Sequence, residues 1–223
     1  MTRKILAAAS ALVVATMIAI SFAVGASLPG HVQLPIHWGL NGEPDGFAGK
    51  WPALLLPSAV TALLSLLFYA LPAIEPRREG LERSQGLYLW GWASLLLMGA
   101  AIQTAVVAVA LGWPVNAGRL IVAATGAMLV LIGNQLGKSR SMYLIGMRTP
   151  WTLASEDVWI RTHRLAGKLM VTGGVLIFGA ALLNPPPARL MALLVGVIAV
   201  SAGIPAAYSF LLWRRERAVQ PSE

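Results

Sequence analysis

Hydrophobic residues along the chain are gathered into long runs, and charged residues are confined to the short segments between those runs. A helix that crosses a bilayer needs roughly 20 apolar residues, with a range near 17–25. Six runs approach or reach this length, so the pattern predicts six transmembrane helices. The runs cover approximately Ile5–Gly25, Pro52–Ile74, Leu87–Gly112, Leu120–Leu136, Leu169–Leu183 and Leu190–Trp213.

The first run also allows a second interpretation, as a secretory signal peptide. Met1–Lys4 is basic, and residues 23–26 are small, as they are before a signal cleavage site. The apolar core of a signal peptide is usually about 7–15 residues, and this run is longer. Its length favours a retained transmembrane helix.

The amino-acid composition supports the same prediction as the hydrophobic pattern. Of 223 residues, 57% are hydrophobic and 12% are charged, whereas an ordinary soluble domain is about a quarter charged. The expected fold is therefore all-α, a polytopic membrane bundle of six helices. The charged tail Arg214–Glu223 is expected to be disordered.

Lys and Arg predict the orientation of the bundle. With a cytoplasmic N-terminus, outer segments hold Lys50, Arg119 and Arg189, and the other fourteen of the 17 cations lie inside. This bias places both termini in the cytoplasm. It also explains the net charge of +8 by attraction to anionic lipid, so the charge does not indicate nucleic acid binding.

The predicted spans contain no ionisable side chain in their interiors, and Gln103 and Asn134 are their main polar groups. An ion-coupled transporter usually needs an ionisable group at that depth, so the pattern counts against one. The chain has no cysteine, which excludes thiol chemistry and Cys-based metal sites.

The outer segment Ala26–Lys50 is rich in turn-forming residues, and alternation through Val32, Leu34 and Ile36 allows a short extended piece. Its imidazole and carboxylate side chains are also groups that can coordinate a metal ion. Their spacing matches no compact zinc pattern, so a folded loop without a metal is expected. The groups concerned are His31, His37, Glu43 and Asp45.

The inner segment Gly137–Lys168 is long enough to have structure of its own. Pro150 should stop any helix that reaches it, and Ser155 should cap a new helix that runs into the fifth span. The segment carries a cluster of Arg, His and carboxylate side chains. A basic surface that holds anionic lipid is favoured, and an interfacial enzyme acting on lipid headgroups is the alternative. The cluster consists of Arg148, Glu156, Asp157, Arg161, His163 and Arg164.

The same segment resembles the SdpI family of bacterial membrane immunity proteins. The resemblance is carried by Gly133-Asn134, by the run GMRTPWTL at residues 146–153, by Val158-Trp159 and by Thr162-His163-Arg164. The chain has Ser141 and Met142 where that family often has Pro-Asn. The functional residues that the resemblance implies are Asn134, Gly146, Arg148, Thr149, Pro150, Trp151, Trp159, Thr162, His163 and Arg164.

The outer segment is similar to a domain of unknown function that often precedes the SdpI region. Its motif consists of Pro35, His37, Trp38, Gly42, Asp45, Gly46 and Lys50. Two regions are therefore expected: a two-span region over residues 1–86 and an SdpI-like four-span region over residues 87–223.

The resemblance implies a multi-pass protein of the bacterial cytoplasmic membrane, without enzyme activity or cofactor. Its expected role is resistance to a toxic peptide, or sensing of that peptide and relay to a partner. The expected partners are membrane lipid, a toxic peptide outside and a cytosolic regulator inside, with no direct contact to nucleic acid.

Overall fold

The computed structural model describes residues 2–39 and 41–219, which form eight helices and a two-stranded hairpin. Six of these helices are long and apolar enough to cross a membrane, which confirms the predicted bundle. In chain order the elements are α1 (Arg3–Ser27), β1 (Gln33–Trp38), β2 (Pro44–Gly49), α2 (Lys50–Ile74), α3 (Arg78–Arg83), α4 (Gln85–Ala110), α5 (Ala117–Leu136), α6 (Pro150–Ala154), α7 (Glu156–Leu182) and α8 (Pro187–Val219).

The six long helices pack side by side, with α4 at the centre of the first half. Helix α4 packs against α1 and α2 on one side and against α5 on the other, and α7 packs between α5 and α8. Large apolar side chains such as Leu12, Leu63 and Leu183 are exposed on the outside of the bundle, where lipid would cover them.

Helices α5 and α7 approach each other closely at two glycine pairs, Gly126 with Gly174 and Gly133 with Gly167. A Cβ atom added to Gly133 would lie 2.9 Å from the carbonyl oxygen of Gly167, and one added to Gly167 would lie 2.6 Å from the carbonyl oxygen of Gly133. Small residues let membrane helices pack backbone to backbone, so these pairs fix the position of α7 on α5.

The segment between α1 and α2 forms an antiparallel hairpin rather than a turn-rich loop with one extended piece. Leu34 pairs with Ala48 and Pro35 with Phe47, and the register shifts by one residue on either side of His37. Gly42 lies in the turn with a φ of 79°, which a residue with a side chain rarely adopts. The hairpin adds a small sheet to an otherwise helical fold.

The end of the bundle that carries this hairpin is here called the hairpin end, and the opposite end the motif end. At the motif end, α8 continues through Arg214 as far as Val219, so the prediction that the tail is disordered was wrong for that part. The side chain of Arg217 lies over the ring of Trp213 at 4.4 Å, and Ser155 donates a 3.1 Å hydrogen bond to Glu216. These contacts stabilise the added turns; residues 220–223 lie outside the described part of the chain.

Candidate functional site

The motif end is covered by residues 137–149, here called the strap, which connect α5 to α6. Under the strap, the rings of Trp159 and His163 stack with centroids 3.9 Å apart and planes 17° apart. Both side chains are fully buried. These two residues lie one turn apart on the helix that leads into the fifth span.

Hydrogen bonds join this stacked pair to the strap at two points. The indole N–H of Trp159 donates to Ser139 Oγ at 3.1 Å, and the backbone N–H of Met147 donates to His163 Nε2 at 2.8 Å. His163 Nδ1 lies 2.8 Å from the carbonyl oxygen of Trp159. Only a neutral imidazole with its proton on Nδ1 satisfies both ring contacts.

Gly146 lets the strap pass directly over the stacked rings. Its φ is 115°, and an added Cβ atom would lie 2.8 Å from both His163 Nε2 and Trp159 Cη2. The backbone conformation and the lack of space both require glycine at this position. The first residue of the GMRTPWTL run therefore has a packing role.

The middle of the same run forms the short helix α6. Thr149 Oγ1 accepts from the backbone N–H of Thr152, and Thr152 Oγ1 accepts from the backbone N–H of Thr149, which is a capping box. Pro150 occupies the first turn, where its missing N–H costs nothing. The Thr152 hydroxyl group also contacts the carbonyl oxygen of Met147 at 2.8 Å, which ties α6 to the strap.

Trp151 connects α6 to the last span. Its indole N–H donates to Ser209 Oγ on α8, and its ring contacts Phe210 and Trp213 at centroid distances of 5.2 and 6.2 Å. Arg148, Trp151, Trp159 and His163 were expected to form one unit at this end; Trp159 and His163 lie under the strap, and Trp151 lies against α8.

Arg148 is exposed at the edge of this arrangement and donates to the carbonyl oxygen of Tyr143 at 2.8 Å. Arg148 was expected to find an acceptor in Glu156, Asp157 or a lipid phosphate, and neither carboxylate is its partner; a contact with lipid phosphate stays a prediction. Glu156 instead accepts from the backbone N–H of Ser141, and Asp157 lies 3.4 Å from Arg161 on the same helix face. The fold of the strap brings the Tyr143 carbonyl nearer to Arg148 than either carboxylate.

The remaining residues of the predicted inner motif are Asn134, Thr162 and Arg164, and none of them is part of the stacked pair. Asn134 on α5 and Arg164 on α7 are exposed. Thr162 is fully buried, and its hydroxyl group has no hydrogen-bond partner within residues 2–39 and 41–219. The structure therefore gathers the centre of the motif and leaves Asn134 and Arg164 on the surface.

Glu75, which the sequence analysis missed, anchors the other side of the strap. Its carboxylate is buried at the end of α2 and accepts three backbone N–H groups, from Arg77, Tyr143 and Leu144, at 2.8–2.9 Å. A single acid between the end of an apolar run and a proline, as in Ile74-Glu75-Pro76, is the sequence signal for this role.

Arg77 supports the same anchor. Its guanidinium group donates to Ser141 Oγ and, at 3.1 Å, to the carbonyl oxygen of Leu153, and it lies over the ring of Tyr143. Met142 next to it is fully buried in the core. Ser141 and Met142, where the chain departs from the family pattern, thus hold the strap in place.

At the hairpin end, a cavity of about 610 Å³ lies between the hairpin, α4, α5 and the start of α8. An added Cβ atom on Gly42 would lie 2.6 Å from Pro187 Cβ, so the hairpin turn touches the first residue of α8. Trp38, His37 and Gly42 from the predicted outer motif line the cavity, together with Asn116 and Arg119 from the start of α5.

The other outer-motif residues hold the hairpin together. Lys50 Nζ donates to the carbonyl oxygens of Gly25 and Leu28 at 2.7 and 2.5 Å, which closes the end of α1. Pro35 is buried. Gly46 faces His37, since an added Cβ atom would lie 3.0 Å from His37 Cβ.

His37 Nδ1 lies 2.5 Å from Asp45 Oδ1, and both side chains are exposed. Over the described residues, no group of three or more His, Cys, Asp or Glu side chains is placed to hold a metal ion. That the hairpin binds no metal stays a prediction.

Both motifs overlap with regions that match known protein families. Residues 138–209 match the model of the SdpI/YfhL protein family, and residues 12–62 match a domain of unknown function, DUF1648. Immunity protein SdpI of Bacillus subtilis (strain 168) is 28% identical over 145 residues, which are 65% of this chain and 67% of that protein. The resemblance to the SdpI family is confirmed. No solved structure matches the chain.

The SdpI match begins within the strap and ends at Ser209, the partner of Trp151 on α8. The DUF1648 match covers most of α1, the hairpin and the first half of α2. The chain is therefore a multi-pass membrane protein related to immunity proteins. The proposed boundary between its two regions, at residues 86 and 87, stays a prediction.

Proposed function

We propose that this protein is an immunity protein of the bacterial cytoplasmic membrane. It gives resistance to a toxic peptide, or senses such a peptide and relays its presence to a cytosolic regulator, and it acts without enzyme chemistry. The family match and the named relative support this role. In this proposal the outer-motif residues shape the end that binds the target, and the inner-motif residues shape the end that relays the signal.

The hairpin end faces outward in this proposal. Three of the 17 Lys and Arg side chains, Lys50, Arg119 and Arg189, belong to that end, and the positive-inside rule favours the richer end in the cytoplasm. Reporter fusions test the orientation. Fusions at Asn41 and Asn116 should report an external location, and fusions at Glu79 and Ser155 a cytoplasmic one; an external result at Ser155 contradicts it.

The observation that carries the relay is the path of α8. Its first turns line the cavity through Pro187, Leu190 and Leu194, and its last turns hold Trp151 through Ser209. One helix therefore contacts the proposed binding end and the strap region alike. A ligand that changes the position of α8 at the cavity would change its contacts with α6.

The alternative, an interfacial enzyme that acts on lipid headgroups, has less support. A histidine that acts as a general base needs a free ring nitrogen within reach of its substrate. His163 is fully buried and both its ring nitrogens are engaged, while Arg148 donates to a backbone carbonyl. The geometry of the cluster is that of a structural connector.

A survival assay tests the proposal. Deletion of the gene should sensitise the host to one or more secreted antimicrobial peptides, and the wild-type gene should restore survival. Arg148→Ala and Trp159→Ala should abolish protection, whereas Arg215→Ala in the last turns of α8 should not. If all three variants accumulate normally in the membrane and protect equally, the strap region is not the functional centre.

A further inference from the structure

The cavity at the hairpin end contains a cation that the fold does not use. Arg119 lines the cavity, is half-buried, and has no ion-pair partner within the described part of the chain. The other cations of this end differ: Lys50 is bound to two helix carbonyls, and Arg189 is exposed outside the cavity.

Charge inside the cavity is complementary to an anion. No carboxylate is among the described residues that line it, and His37, the other basic side chain in the lining, is already paired with Asp45. Asn116 uses its side-chain oxygen to accept from the backbone N–H of Arg119 at 2.8 Å, so its amide N–H groups remain as donors. Guanidinium and amide N–H groups together favour a phosphate or carboxylate oxygen.

Apart from Asn184 at its mouth, the rest of the cavity lining is mainly apolar and extends to membrane depth. Ile102 is eight residues before the end of α4 at Ala110, and Leu194 is seven residues after the start of α8 at Pro187. At 1.5 Å per residue, the cavity reaches about 10–12 Å below the helix ends. Half of the hydrocarbon core is about 15 Å thick, so the floor lies within the region of lipid chains.

A second cavity of about 280 Å³ adjoins the first on the side of α2. The two share Ile36, Trp38 and Ile102, which form the partition between them. The second cavity is lined almost entirely by aliphatic side chains of α2 and α4. Its hydroxyl group, on Thr61, is already bound to the carbonyl oxygen of Pro57 at 2.7 Å.

We propose, resting on the outward orientation of the hairpin end in the function proposed above, that the first cavity binds a lipid-like anion from the outer leaflet, a ligand distinct from the toxic peptide. Its phosphate-type headgroup lies beside Arg119 and Asn116. Its hydrocarbon chain lies between α4 and α8 and extends past Ile102 into the second cavity. The protein thus recognises an envelope component with one compact anionic group and an apolar chain.

A peptide fits the second cavity poorly. Every residue of an inserted peptide would bring a backbone N–H and a carbonyl group into a space with almost no free hydrogen-bond partner, at a cost of several kcal/mol for each unsatisfied group. A hydrocarbon chain brings none. This difference favours a lipid-like ligand over a peptide.

Photo-crosslinking in phosphatidylcholine vesicles tests the proposal with the full-length protein. The probe is a long-chain alkyl phosphate with a diazirine near the chain end, and the matched probe is the corresponding alcohol. Mass spectrometry then locates the label. The phosphate probe should label α2 and α4 around Val60 and Met98 about tenfold more than the alcohol does.

Variants identify the group that binds the anion. Arg119→Gln should reduce labelling by the phosphate probe to the level of the alcohol, whereas Arg189→Gln at the same end should leave it unchanged. Val60→Trp fills the second cavity from its lipid side and should remove the label there, whereas Leu63→Trp on the same helix should not. Membrane accumulation of each variant excludes misfolding as the cause.

Equal labelling by both probes, or labelling that is unaffected by Arg119→Gln, overturns the proposal. Competition by a short apolar peptide acid, but not by alkyl phosphate, also overturns it and assigns the cavity to peptides. The survival assay is independent of these results. If Arg119→Gln loses labelling but still protects, the lipid-binding proposal stands and immunity depends on another part of the protein. If Arg119→Gln loses protection although the wild type shows no phosphate-dependent labelling, the lipid-binding proposal fails and the immunity proposal stands.

Discussion

The backbone N–H of Met147 donates a 2.8 Å hydrogen bond to Nε2 of His163, which joins the strap to α7 through a fully buried ring. The other ring nitrogen lies against the carbonyl oxygen of Trp159. A protonated imidazole cannot accept from Met147, so the ring is neutral in this arrangement. The histidine of the Thr-His-Arg motif therefore acts as a connector between the strap and the span.

His163→Phe tests this connection. The substituted ring keeps an aromatic surface against Trp159 but leaves the N–H of Met147 buried without an acceptor. A buried unsatisfied donor costs about 1–3 kcal/mol, so the midpoint of thermal unfolding should fall clearly. His31→Phe, at an exposed position near the hairpin, is the matched control and should leave the midpoint nearly unchanged. Equal midpoints for the two variants would contradict the connector role.

Gly146→Ala tests the passage of the strap over the rings. A side chain at a φ of 115° is strained, and its Cβ atom would lie 2.8 Å from His163 Nε2. Strain and overpacking together should lower the free energy of unfolding by at least about 2 kcal/mol. Gly30→Ala has open space around the added methyl group and should change stability little. Stability of the two proteins in detergent, measured by thermal unfolding, distinguishes them.

Glu75→Gln tests the anchor at the end of α2. The carboxylate accepts three backbone N–H groups, and an amide would turn one acceptor into a donor that faces another donor. Since hydrogen bonds to a charged group contribute about 1.5–3 kcal/mol, a loss in that range is expected. Glu79→Gln removes only an exposed pair with Arg83 and should cost less than about 1 kcal/mol. Similar losses for both would show that Glu75 is not an anchor.

The sequence predicted the bundle well because a membrane imposes strong constraints on it. Each span needs a long apolar run, and helices α1, α2, α4 and α5 begin and end within three residues of the predicted limits. The helix that Ser155 caps and that enters the fifth span was also predicted, from that cap.

Long-range pairing was not predictable in the same way. Glu75 and Leu144 are far apart in the chain, and no local pattern indicates that one carboxylate accepts the backbone of both Tyr143 and Leu144. The two carboxylates Glu156 and Asp157 were wrong as expected acceptors for Arg148 for the same reason, since a nearby acid is easy to see in a sequence and a backbone carbonyl is not. The hairpin was underestimated because a two-stranded sheet needs only a short alternating pattern.

Trp151→Phe tests α8 as the relay between the two ends. The variant keeps an aromatic ring against Phe210 and Trp213 but removes the N–H that donates to Ser209. Loss of one neutral hydrogen bond should cost about 1 kcal/mol, which leaves the protein folded and inserted. Protection in the survival assay should nevertheless fall, because α6 loses the hydrogen bond that couples it to Ser209 on α8. Trp113→Phe, at an exposed position of the hairpin end, should protect like the wild type. If Trp151→Phe accumulates normally and protects fully, this hydrogen bond does not carry the signal and the relay proposal fails.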